Sequence, residues 1–113
     1  MNATQTAYAI ALAAYETAVN AATAEGPTLA ADATDAEWEA ADDAYEAARV
    51  RHNVAALRDA LRAATDAMVT DRTEALCRVY PKRAAEIRTT REQAMRLGGD
   101  FAARIIDMSF RAA

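Results

Sequence analysis

The first 48 residues contain no lysine or arginine, although the chain has 13 basic residues in all. This stretch, the acidic half, holds nine of the 17 acidic residues and has a formal charge of −9. The remaining 65 residues, the basic half, set 13 basic against eight acidic side chains, which gives +5 and a total of −4. Because unlike charges steer association, this segregation indicates that the halves contact each other or oppositely charged partners.

Cysteine, histidine and glycine are scarce, and each shortage excludes a kind of chemistry. Cys77 is the single cysteine and can form no internal disulfide, which favours a reducing compartment. His52 is the single histidine, and Arg49 stands where a di-iron bundle needs a glutamate. The chain has no phosphate-binding glycine loop, because Gly98 and Gly99 precede Asp100, an acid that would repel phosphate. We therefore expect no enzyme activity, no metal, no cofactor and no small-molecule substrate.

Long apolar runs are also missing from the sequence. None approaches the roughly 20 residues of a membrane span. The apolar segment 7–14 is short and has no basic residue before it, unlike a signal peptide. We expect no membrane partner and a cytoplasmic protein, which if viral would lie in the virion or the host cytoplasm.

Alanine is abundant, with 33 residues against 27 other apolar residues. Alanine is the best helix former but buries little apolar area. The three glycines and two prolines leave few places where a helix must stop. The composition therefore predicts long helices that pack closely through small side chains.

Helix 1 is predicted over residues 1–25, where apolar side chains follow a coiled-coil seam. The seam has spacings of 4, 3, 4 and 3 and consists of Tyr8, Leu12, Tyr15, Val19 and Ala22. Gly26 and Pro27 end the helix, since glycine suits the position after a helix and proline cannot continue it.

Helix 2 is predicted over residues 34–80, a range without glycine or proline after Asp35. Thr34 or Asp35 can cap its N-terminus, and Glu37 lies favourably in the first turn. A break near Asp71 is an alternative, because residues 71–74 resemble a capping box.

Helix 2 carries two apolar stripes that cannot both face one neighbour if the helix is straight. The first stripe is Val50, Val54, Leu57, Leu61, Ala64 and Met68, and the second is Trp38, Ala41, Tyr45, Ala48 and His52. Tyr45 and Val54 are nine residues apart, which places them about 180° apart at about 100° per residue. Either the helix bends near residues 51–53, or it has partners on two sides.

Helix 3 is predicted over residues 81–97 and helix 4 over residues 100–112, separated by Gly98 and Gly99. Helix 4 is apolar on two faces, which requires burial in this chain or in another. Its apolar residues are Phe101, Ile105, Ile106, Met108 and Phe110. The predicted fold is thus all-α: an antiparallel, alanine-rich, coiled-coil-like hairpin with a long second helix and two shorter C-terminal helices, forming a single helical unit.

The candidate contact residues in the acidic half are Trp38, Asp42, Asp43 and Tyr45. Tryptophan and tyrosine dominate interface energetics, although both could instead pack on the tyrosines of helix 1. The carboxylates from Glu39 to Glu46 are predicted to form a solvated acidic face rather than a metal site, because one helix rarely supplies the six to eight oxygens that calcium needs. The apolar residues of helix 4 are further candidates for a protein contact.

These patterns predict a non-enzymatic protein–protein interaction or assembly module that acts as an oligomer or bound to a larger partner. An adaptor, an inhibitor and a small structural component of a viral or other large assembly all belong to this class, and a homo-oligomer is expected. The alternative is a nucleic-acid-associated helical subunit that uses the basic half. Its candidate residues are Lys82, Arg83, Arg88, Arg91 and Arg96.

Overall fold

A computed structural model describes residues 2–98 of the chain. The described chain is all-α and contains no strand, which confirms the predicted helical fold class. Its elements are α1 (Ala3–Glu25), α2 (Asp35–Arg51), α3 (Val54–Val79), a 3₁₀ turn (Pro81–Arg83) and α4 (Ala84–Leu97). The predicted helix 4 over residues 100–112 lies outside the described residues.

Capping boxes start the first two helices. The Asn2 side-chain oxygen accepts from the backbone N–H of Gln5, and the Gln5 side chain accepts from the backbone N–H of Asn2, both at 2.9 Å. Thr34 and Glu37 repeat this reciprocal pattern at the start of α2, at 3.2 and 3.4 Å. These bonds satisfy backbone donors that have no partner within the helix.

The chain forms two compact units, one of residues 10–61 and one that combines residues 2–9 with residues 62–98. In the first unit, α1 packs against α2 and the first turns of α3 through one cluster. The cluster contains Tyr15, Ala18, Val19, Ala22, Ala48, Val54 and Leu57. Tyr15, Val19 and Ala22 belong to the predicted seam of α1, so that part of the seam faces the hairpin partner.

The predicted long second helix is interrupted at His52 and Asn53, which separate α2 from α3. Asn53 has a φ of 59°, the left-handed conformation that asparagine tolerates better than most residues. The interruption re-phases the helix, so that Ala48 from one stripe and Val54 from the other join the same cluster. Of the two alternatives for the stripes, the structure has the bend.

The bend also changes the position of Val50, which was predicted to belong to the stripe of Val54 and Leu57. Val54 is 2% exposed, whereas Val50 is 81% exposed. Val50 precedes the interruption and therefore keeps the phase of α2, which turns it away from α1. The stripe begins at Val54.

No break occurs at Asp71, because α3 continues to Val79. Arg72 and Thr73 are buried there, and the Thr73 hydroxyl donates to the carbonyl of Val69 at 2.7 Å. Asp71 instead accepts hydrogen bonds from the side chains of Asn2 and Thr4, each at 3.1 Å. These contacts attach the start of α1 to the middle of α3.

In the second unit, α4 packs back on α3. Met68, Val69 and Ala94 form the buried cluster, and Tyr8 and Met95 pack against it. Cys77 is also buried, where a free cysteine behaves as a small apolar side chain.

Candidate functional site

The outer face of α2 carries a charged seam that does not take part in packing. Five residues follow spacings of 4, 3, 4 and 3 and are all exposed: Asp35, Glu39, Asp42, Glu46 and Arg49. On a helix this spacing keeps side chains on one face. The packing positions of α2 are instead occupied by the alanines Ala41 and Ala48, which are 2% and 0% exposed.

Trp38 lies beside this seam, one turn into α2, and is 51% exposed. It is the only tryptophan in the chain. Half of its large apolar surface therefore stands in water among carboxylates, where a partner can cover it.

Tyr45, the second aromatic candidate of α2, has a contact inside the fold. Its ring lies against Gly26 so closely that a Cβ atom at Gly26 would overlap it. The Tyr45 hydroxyl donates to the carbonyl of Pro27 at 3.0 Å. Tyr45 thus fastens α2 to the end of α1, and Trp38 is the more exposed of the two rings.

The carboxylates of α2 have no ion-pair partner within residues 2–98. They are Asp35, Glu37, Glu39, Asp42, Asp43 and Glu46. Glu37 is engaged in the capping box, and the other five are exposed without such a bond. Their charges are uncompensated, and the face attracts cations on an approaching partner.

The C-terminal end of α1 differs, because Glu25 is fully engaged. It accepts from Arg51 at 2.8 Å, and its other oxygen lies 2.8 Å from His52 Nε2. The hydrogen bonds from Arg51 and His52 lower the pKa of Glu25. This contact ties the end of α1 to the residues that interrupt the second predicted helix.

A shallow groove of about 380 Å³ lies at the α2–α3 junction, within the residues of the first unit. Its lining consists of Glu46, Arg49, Val50, Asn53, Val54, Ala55 and Arg58. Val50 and Ala55 supply exposed apolar surface, and Arg49 and Arg58 supply two exposed cations. Neither arginine forms an ion pair in the described part of the chain, so the groove joins apolar surface to positive charge.

The arginines of α4 are mainly used to hold α4 on α3. Arg88 makes two hydrogen bonds to the carboxylate of Glu74, at 3.2 and 2.9 Å. Arg91 donates to Asp66 at 3.0 Å and to the hydroxyl of Thr70 at 2.7 Å. The hydrogen bonds between Arg88 and Glu74 lower the pKa of Glu74 and raise that of Arg88.

Arg83 is also paired, with Glu86 one turn further along, at 3.1 Å. This pairing raises the pKa of Arg83 and lowers that of Glu86. Of the five candidate cations for nucleic acid, Lys82 and Arg96 remain exposed without an ion pair inside the described range. Three of the five candidate cations are thus neutralised by carboxylates of the basic half, so little of their positive charge is left to bind phosphate.

Among residues 2–98, no group of three or more His, Cys, Asp or Glu side chains is arranged to hold a metal ion. Over the same range, no helix combines the length and the apolar character that crossing a membrane requires. The candidates Phe101, Ile105, Ile106, Met108 and Phe110 lie outside the described residues.

Sequence reasoning missed two features of this surface: the exposure of Val50 and the groove beside it. The signal was present, because Asn53 is the only asparagine between residues 35 and 80. Asparagine favours left-handed backbone, and a change of helical phase there places Val50 outside the core.

No known protein family, curated protein or solved structure matches this chain.

Proposed function

We propose that this chain is a non-enzymatic protein–protein interaction or assembly module whose contact surface is the outer face of α2. The observation that supports this most is the half-exposed Trp38 beside carboxylates that no cation within residues 2–98 neutralises. Tryptophan is enriched among residues that dominate binding energy, and uncompensated charge speeds encounter with an oppositely charged partner. The module acts as an oligomer or bound to a larger partner, as an adaptor, an inhibitor or a structural component of an assembly.

The two parts of this surface have different roles in binding. Exposed charges at the rim of an interface act mainly on the association rate, whereas a buried aromatic anchor acts mainly on the dissociation rate. Asp42 and Asp43 are adjacent, exposed and free of structural hydrogen bonds in the described chain. Trp38 is the anchor.

The test uses a partner captured from the native host and identified by mass spectrometry, with binding followed by surface plasmon resonance. The combined change Asp42→Lys and Asp43→Lys should lower the association rate about tenfold or more, within the one to three decades over which such rates vary. Trp38→Ala should raise the dissociation rate instead. The matched control reverses the same number of charges at two exposed acids off α2, Glu16→Lys with Asp32→Lys, and should have a smaller effect.

Circular dichroism of each variant checks that the fold is intact, since surface substitutions usually change stability by about 0.5 kcal/mol or less. An unchanged association rate after the Asp42 and Asp43 reversal, in a folded protein, would transfer the contact to the basic half. That outcome would favour the nucleic-acid alternative. Nucleic-acid binding would then be recognised by an affinity that falls steeply as the salt concentration rises, and this salt dependence would arise from the basic half alone.

The nucleic-acid alternative has less support at present. It relies on clustered cations, and Arg83, Arg88 and Arg91 are each engaged with a carboxylate of the basic half. Binding phosphate would require these pairs to open.

A further inference from the structure

We propose that the partner of this surface is a helix of another protein, which carries basic residues between two apolar residues and crosses the outer face of α2. This inference rests on the proposed function, because it names the chemistry of the partner that α2 binds. It is based on one row of four exposed residues of α2 and on the groove into which that row leads.

The row consists of Trp38, Asp42, Glu46 and Val50, which follow one another at steps of four residues. Side chains four residues apart form a continuous ridge on a helix, inclined by about 26° to the helix axis. Over about 18 Å along the axis, the row therefore passes from one edge of the outer face to the other. Its ends are the two large apolar side chains that α2 exposes, and its centre is two exposed carboxylates.

The inclination of the row predicts how a partner helix lies on α2. Helices pack with the ridges of one in the grooves of the other, and ridges with steps of four residues on both helices give a crossing angle of about 50°. A partner helix at this angle can contact Trp38 towards one of its ends and Val50 towards the other. A helix that lay straight along α2 would reach only one of these edges.

The charge of the row indicates that the partner is basic. A neighbouring row contains Glu39 and Asp43, so the trough between the two rows has exposed carboxylates on both sides. None of the four carboxylates that line the trough pairs with a cation of residues 2–98. A second copy of this face would be repelled, whereas lysine or arginine side chains of a partner would lie between carboxylates.

The groove at the α2–α3 junction can accept the end of such a helix. The row leads into it, because Glu46 and Val50 are part of its lining. Val50 and Ala55 offer exposed apolar surface there, and Arg49 and Arg58 are exposed without an ion pair in the described chain. A helix has partial positive charge at its N-terminus and partial negative charge at its C-terminus. A partner that runs in the same direction as α2 therefore brings its C-terminus to the two arginines.

The sequence pattern of the partner follows from this contact. An apolar residue, two basic residues and a second apolar residue, each four positions after the one before, form a matching row on its surface. The basic side chains enter the trough, and the apolar side chains contact Trp38 and Val50. We expect an affinity in the micromolar range, because exposed charge pairs contribute little and the contact is smaller than the about 1,200–2,000 Å² of a standard interface.

The test uses dye-labelled synthetic helices of about 20 residues as probes for the full chain, with binding measured by fluorescence anisotropy. The row probe has leucine, arginine, arginine and leucine at steps of four residues in a background of alanine and glutamine. The scrambled probe has the same composition with these four residues on different faces, and the inverted probe has glutamate in place of arginine. The row probe should bind about tenfold more tightly than either of the others.

Variants of α2 test which residues make the contact. Asp42→Asn with Glu46→Gln should weaken binding of the row probe about fivefold, and Trp38→Ala should weaken it about tenfold or more. The matched control, Glu16→Gln with Asp32→Asn, removes the same charge away from α2 and should change the affinity by about twofold or less. Circular dichroism verifies that each variant is folded.

Charge reversal tests the pairing itself. Asp42→Arg with Glu46→Arg should bind the inverted probe in preference to the row probe, because the charges on both sides are then exchanged. A preference that stays with the row probe in this variant would overturn the inference.

Equal binding of the row and scrambled probes would show that net charge alone attracts them, and it would overturn the inference, as would a row probe that does not bind. Self-association of the chain that Trp38→Ala abolishes would assign the face to a second copy and would also overturn it. The proposed function is decided separately with the partner captured from the native host. It stands if Trp38→Ala weakens that complex, and it fails if neither Trp38→Ala nor the reversal of Asp42 and Asp43 does.

Discussion

Gly26→Ala should destabilise the protein because of a contact between distant parts of the chain. The ring of Tyr45 lies where the new Cβ would be. The ring would have to move, and its hydroxyl would lose the hydrogen bond to the carbonyl of Pro27. The backbone of Gly26 is not the obstacle, since only Gly98 has positive φ among the described glycines.

Two effects of opposite sign compete in this substitution. Replacing glycine by alanine at a compatible backbone position stabilises by about 0.4–1 kcal/mol, because it restricts the unfolded chain. Overpacking costs about 1–3 kcal/mol, which includes the loss of an exposed hydrogen bond worth about 0.5 kcal/mol at the low end. We expect the overlap to dominate and the free energy of unfolding to fall by about 1–2 kcal/mol.

Urea denaturation followed by circular dichroism measures this difference, and the melting temperature should drop by about 5 °C or more. The control is the same substitution in a Tyr45→Ala background, where the obstacle is gone. There Gly26→Ala should be neutral or stabilising, so the double-mutant cycle should give a coupling of about 1–2 kcal/mol. Stabilisation by Gly26→Ala in the presence of Tyr45 would refute the reasoning.

Three further predictions concern helix ends. Hydrogen bonds from Arg51 and His52 lower the pKa of Glu25 in the folded state, so this contact stabilises the fold above about pH 5 and is lost as the pH falls through the folded pKa. Glu25→Gln should therefore weaken the fall of the urea midpoint at acid pH, and an unchanged pH dependence would contradict this. Asn53 has a φ of 59°, so Asn53→Ala should lower the free energy of unfolding by about 1–2 kcal/mol, whereas Asn53→Gly should change it by about 0.5 kcal/mol or less. Thermal melts measure both, and equal losses in the two variants would argue against backbone strain. Thr34→Ala should lower the free energy of unfolding by about 1 kcal/mol because the cap is lost, whereas Thr34→Ser should keep most of the stability that the cap provides. Hydrogen exchange in the first turn of α2 measures this difference.

The parts of the fold that depend on neighbours in sequence could be predicted. Thr34 was one of the two predicted caps of α2, and the structure shows that it caps the helix in a capping box with Glu37. Gly26 and Pro27 likewise mark the end of α1. The possible break at Asp71 rested on the same kind of signal, but burial of Thr73 favours the continuous helix, and burial is a tertiary property.

The candidate site was predictable only in part. The acidic residues and Trp38 follow from the sequence, whereas the exposure of Val50 depends on where the helical phase changes. The ion pairs of Arg88 and Arg91 could not be inferred, because their partners Glu74 and Asp66 lie 14 and 25 residues away on another helix. The sequence pattern shows on which face of its own helix an arginine lies, but it does not show which other helix packs against that face.

The interruption at His52 and Asn53 makes the first unit sensitive to changes in chain length. Each residue added to or removed from a helix turns everything beyond it by about 100° relative to what precedes it. Deleting Asn53 would rotate Val54 and Leu57 away from α1 while Ala48 kept its place in the cluster. Substitutions at this junction can therefore be tolerated where a single-codon deletion cannot, so natural variants of this chain should keep its length constant between Ala48 and Val54 even where the residues differ.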